Sequence, residues 1–147
     1  MKLNVPTVLR RILGMPEPDM PALPRVLVIS AFDHDQKFFA GLHNAGTWDI
    51  TLSGNVDRAT ELLSDHSFSI IVYDRDLPGW EWREVLTRLR TWAPQTAVVL
   101  MSRVIDNFLW KEVLSHGGYD LLPKPLDHAT ANRVLRRAWY YRKATEQ

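Results

Sequence analysis

Residues 69–80 read SIIVYDRDLPGW. An unbroken apolar run closed by an aspartate and then by a Leu-Pro-Gly turn has the length and composition of a strand buried on both faces. A strand of this kind suits a sheet with both faces covered, as parallel sheets are. The stretch therefore predicts an α/β domain in which Asp74 emerges from the apolar layer at a strand's carboxyl end.

The flanking sequence repeats the pattern. Upstream, VLVI at residues 26–29 lies between Pro24 and the polar loop SAFDHDQ, and residues 48–53 alternate as a second strand. Downstream, AVVLM at residues 97–101 predicts a fourth strand, and residues 120–123 a short fifth. Apolar residues at helical spacing fill the gaps. Phe38, Phe39 and Leu42 precede Gly46. Ala59, Leu62 and Leu63 form a second face, and Trp82, Leu86 and Leu89 a third, stopped by Pro94. Trp110, Val113 and Leu114 are expected inward on a fourth helix closed by Gly117 and Gly118. Asp127 caps a last helix running to about Lys143, with Ala131, Val134, Leu135 and Ala138 inward. Five strands alternating with five helices imply crossovers and a parallel sheet.

The 147 residues, 46% hydrophobic, suit one domain with its own core. Absence of cysteine excludes a disulfide framework, a thiolate metal site and a cysteine nucleophile. A net charge of +1 gives no global attraction to nucleic acid or membrane. No apolar run approaches the roughly 18 residues of a membrane span, and no signal peptide is evident, so a cytoplasmic location is expected. Residues 1–24 read as an N-terminal tail and linker. Pro16, Pro18, Pro21 and Pro24 predict an extended linker, after a short amphipathic stretch with Val8, Leu9, Ile12 and Leu13. Residues 25–147 form the domain.

In open parallel sheets, ligands sit beyond the carboxyl ends of the strands. Collected there are residues 30–35 (SAFDHD) after the first strand, Asp74 after the third, Ser102 at the fourth and Lys124-Pro125 after the fifth. A carboxylate is a competent nucleophile toward a phosphoryl donor. A hydroxyl and an ammonium can hold the transferred oxygens.

With those residues in place, SIIVYDRDLPGW, VVLMS and GGYDLLPKPLD resemble three segments of the response-regulator receiver domain, in the same order. The resemblance covers about residues 25–143. It implies a flavodoxin-like (βα)5 fold with sheet order 2-1-3-4-5. It implies a role in phosphorelay signalling of the bacterial two-component type, not an enzyme's. Asp74 matches the phosphoacceptor, Ser102 the hydroxyl that moves toward the phosphoryl group, and Lys124 the contacting lysine. It also implies Mg²⁺, with Asp74 as a ligand, and a histidine kinase or phosphotransfer protein as donor.

Three departures stand out. Ser30 and Ala31 occupy the places where receivers carry their metal-binding acidic pair. Asp33 and Asp35 either turn toward the pocket or cap the next helix, and Asp33 or Asp76 is the candidate to join Asp74 on a metal. Leu121 stands at the position three before the lysine, where many receivers have an aromatic switch residue. Tyr119, by strand alternation, is expected on the same side as Leu121. Nothing after the last helix reads as a DNA-binding output domain, so output is expected through a downstream protein or a homodimer built on the fourth and fifth helices. Arg133, Arg136, Arg137, Tyr140 and Lys143 project from the last helix, with nucleic acid and membrane not expected as partners. The alternative function is a phosphorylation-independent pseudo-receiver that binds a protein partner. Of the tryptophans, Trp82 and Trp110 fit core positions and Trp80 the mouth of the Asp74 pocket. The five histidines show no metal-ligand spacing, and SAFDHDQ has no glycine for a flavin phosphate loop.

Overall fold

The computed structural model describes residues 12–14 and 23–145. Val8 and Leu9 of the expected amphipathic stretch and most of the linker lie outside them, while Ile12 and Leu13 are exposed. The strands are β1 (Arg25–Ile29), β2 (Asp49–Ser53), β3 (Ile70–Asp74), β4 (Ala97–Ser102) and β5 (Asp120–Pro123). They alternate with α1 (Asp33–Asn44), α2 (Val56–Asp65), α3 (Trp82–Trp92), α4 (Asn107–Ser115) and α5 (His128–Thr145). The sheet is parallel throughout, ordered β2-β1-β3-β4-β5. That is the order the resemblance implied.

Strand alternation splits the core between the two faces of the sheet. Leu27, Ile29, Ile71, Tyr73, Val98 and Leu100 point to one side and meet Ala59, Trp82, Leu86, Leu89 and Val113 from α2, α3 and α4. Val26, Val28, Ile70, Val72, Val99 and Met101 point to the other and meet Phe39 and Leu42 of α1 and Leu135 and Ala138 of α5. This is why β1, β3 and β4 read as continuous apolar runs.

Local chemistry sets the helix starts. Asn55 accepts from the Arg58 N–H at 2.8 Å, and Asp106 from the Leu109 N–H at 2.7 Å. Asp127 accepts from the Thr130 N–H at 2.9 Å. Glu81 accepts from the N–H groups of Arg83 and Glu84. Between α4 and β5, Gly117 has φ +91°, and a Cβ on Gly118 would stand 2.5 Å from Val113 Cγ1. Two glycines here let the chain turn tightly beneath α4.

Two packing expectations are corrected. Trp110 and Leu114 are 48% and 47% exposed, and α4 buries Leu109 and Val113 instead. The helix begins at Asn107, and the i, i+4 pair facing the sheet is the one carrying the smaller side chains. Tyr119 does not share a side with Leu121: Leu121 joins the cluster beneath α2, α3 and α4, whereas Tyr119 packs against the opposite one, its ring 4.7 Å from that of Tyr141. β5 begins only at Asp120, so strand alternation does not govern Tyr119.

The candidate site at the sheet's carboxyl edge

The sheet order reverses at β1, which has β2 on one side and β3 on the other. A crevice at such a point opens beyond the carboxyl ends of the central strands. Asp74, the last residue of β3, is 1% exposed. Its Oδ1 accepts from the Asp76 N–H at 2.7 Å, and its Oδ2 accepts from Lys124 Nζ at 2.7 Å. Lys124 follows β5 directly and is fixed to the end of β4 by its own N–H, which donates to the Ser102 carbonyl at 3.0 Å.

A second carboxylate completes the arrangement. Asp35, also 1% exposed, lies in the first turn of α1, and its Oδ2 accepts from Lys124 Nζ at 2.8 Å. The same oxygen accepts from Ser30 Oγ at 2.7 Å, while Ser30 Oγ takes the Phe32 N–H at 3.1 Å. Ser30 thus occupies one of the vacated acidic positions and links it to an acid five residues on. The Gln36 side chain donates to the Ser30 carbonyl at 2.9 Å and holds the loop down.

Lys124, with its side chain 8% exposed, is therefore bound by two buried carboxylates. Burial works against its charged form, but the hydrogen bonds and charges of Asp35 and Asp74 outweigh burial and hold its pKa above the usual lysine value. Its ammonium also lies 4.7 Å from the centre of the Phe32 ring. Phe32 lines the adjoining pocket with Asp33, His34, Arg103, Pro125 and Leu126.

The sequence-expected residues do not all converge. Asp74 and Lys124 meet. Ser102 is buried at the end of β4, but its hydroxyl donates to the Val104 carbonyl at 2.7 Å and accepts the Val104 N–H at 3.1 Å. Asp33 and Asp76 are exposed. The acid that enters the pocket is Asp35, because it shares the inward stripe of α1 with Phe39 and Leu42. That four-residue spacing to Phe39 was the available signal. Trp80 lies elsewhere, on a groove lined by Val56, Thr60 and Arg88, with the Arg88 guanidinium 4.9 Å from its ring centre. The aromatic ring beside the lysine is Phe32.

Magnesium wants an octahedron of oxygens. Among the described residues no three carboxylate or imidazole groups gather as a metal site. The two buried carboxylates already share a lysine ammonium. This donor set does not fit a resident Mg²⁺.

The sequence matches the family described as response regulator receiver domain over residues 35–136. Among solved structures, the receiver domain of an HD domain-containing protein from Pseudomonas fluorescens superposes with TM-score 0.77 at 18% identity, covering 90% of this chain and 98% of that one. The chemotaxis response regulator CheY4 of Vibrio cholerae gives 0.73 at 15% identity, covering 80% and 99%. A Francisella response regulator receiver domain gives 0.70 at 24% identity, covering 83% and 98%. No curated protein matches by sequence.

Proposed function

Because this chain belongs to the response regulator receiver domain family, we propose that it accepts a phosphoryl group on Asp74. The observation that carries the reading is the Asp74 carboxylate, buried at the end of β3 with an ammonium 2.7 Å away. Receiver domains work with histidine kinases or phosphotransfer proteins, and phosphohistidine is the donor proposed here. The carboxylate attacks phosphorus, a P–O bond forms at Asp74, and the P–N bond breaks toward the imidazole, which leaves with a proton. Lys124 shifts its hydrogen bond from the Asp74 carboxylate to a phosphoryl oxygen, where charge develops. Ser102 contacts that group only after its hydroxyl leaves the Val104 carbonyl.

Output is assigned to the outer faces of α4 and α5. Phe108, 67% exposed, and Trp110 stand on α4, while Arg133, Arg136, Arg137, Tyr140 and Lys143 are exposed on α5. Apolar anchors beside basic residues suit a protein partner or a second copy of the chain.

The test is intact mass after incubation with phosphoramidate or a phosphorylated kinase, beside Asp74→Ala. One added phosphoryl group, absent from the variant, is the expected result. An unmodified wild-type chain with both donors rejects the reading and returns the phosphorylation-independent interaction module.

A further inference from the structure

An aspartate, an acidic pair, a lysine and a divalent cation together carry no net charge. Here the buried Asp35 and Asp74 stand against the one ammonium of Lys124. Replacing the acidic pair with Ser30 and Ala31 while keeping Asp35 thus cuts the charge left to offset from −2 to −1, and weakens the demand for a divalent cation. What remains is to hold the ammonium where the cation's charge is needed. Lysine is a flexible stem carrying a point charge, and it needs anchoring to act at a fixed place. Asp74 cannot be the lasting anchor, since phosphorylation consumes its free carboxylate. Asp35 can, because it grips the same ammonium at 2.8 Å and takes no part in the transfer. Its own charge is covered by the Ser30 hydroxyl and by the positive N-terminus of α1.

We propose that Asp35 is a positioning residue that fixes the Lys124 ammonium in the place of a divalent cation, so that phosphoryl transfer to Asp74 proceeds without a metal. The inference rests on Asp74 being the acceptor. The ammonium faces the phosphoryl oxygens from one side and Asp35 from the other. The Asp76 N–H, now on Asp74 Oδ1, supplies a further donor at the same carboxylate.

The full chain is incubated with phosphoramidate in saturating Mg²⁺ or in EDTA, and adduct formation is followed by intact mass. The carboxylate's electron pair makes the P–O bond, and the protonated nitrogen of the donor leaves as ammonia. The expected rates agree within about two-fold between the two buffers. Asp35→Asn slows both by about ten-fold, and Asp35→Glu recovers part of the loss, as a restored charge-assisted hydrogen bond requires. An adduct that forms only in Mg²⁺ overturns the inference and leaves Asp74 as acceptor. Asp35→Asn reacting at the wild-type rate also overturns it. No adduct in either buffer, with phosphoramidate and with the phosphorylated kinase alike, removes the Asp74 reading and the inference with it. The buffer comparison uses the wild-type chain, so it stands whether or not a variant folds.

Discussion

Lys124 is held between two buried carboxylates. Removing its ammonium by Lys124→Met leaves Asp35 and Asp74 buried without their common counter-ion. Breaking a buried pair in this way costs about 3–5 kcal/mol, so the urea midpoint of Lys124→Met is expected to fall steeply while that of Asp35→Asn falls less. The pH dependence has a definite sign. Lys124 has a raised pKa in the folded chain, so its contribution is complete below the unfolded lysine value of about 10.4 and is lost as pH rises through the folded one. Urea melts across alkaline pH are expected to show a smaller loss for Asp35→Asn than for the wild type. Asp74 and Lys124 were legible in the sequence because each follows an apolar strand. Asp35 was only half legible, since an acid in a helix's first turn ordinarily serves the helix dipole. Ser102 was legible by position but not by orientation, because a hydroxyl that satisfies itself on the backbone two residues away leaves no trace in spacing.

At the level of the elements, the strands declared themselves and the short helix did not. Strands buried on both faces cannot be confused with amphipathic surfaces. In α4, by contrast, Phe108, Leu109, Trp110, Val113 and Leu114 are all apolar, so periodicity alone allows several inward faces, and contact with the sheet selects Leu109 and Val113. The turn after α4 explains part of that selection. Gly118→Ala would place a methyl group 2.5 Å from Val113 Cγ1 and 3.1 Å from the Val113 carbonyl. We expect a loss of about 1–3 kcal/mol, as for overpacking elsewhere, read as a lowered melting temperature. Asn55→Ala removes the cap of α2 and is expected to cost about 1 kcal/mol in the same measurement.

For the whole molecule, the two-sided core makes most of the exterior dispensable to folding. Phe108→Ser is expected to leave stability within about 0.5 kcal/mol of wild type, as for exposed positions in general. The same variant is expected to weaken binding at α4, so paired melting and pull-down measurements separate the two roles. The ammonium bridges carry a different consequence. They join positions separated by 89 residues in one case and 50 in the other, one after the first strand, one on the third and one after the fifth. During synthesis, neither of the earlier acids meets its counter-ion until the final strand has left the ribosome and taken its place at the sheet's edge. A half-made domain therefore carries Asp35 and Asp74 without the ammonium that neutralises them, and the pocket at the carboxyl edge is assembled only when the fifth strand joins the sheet.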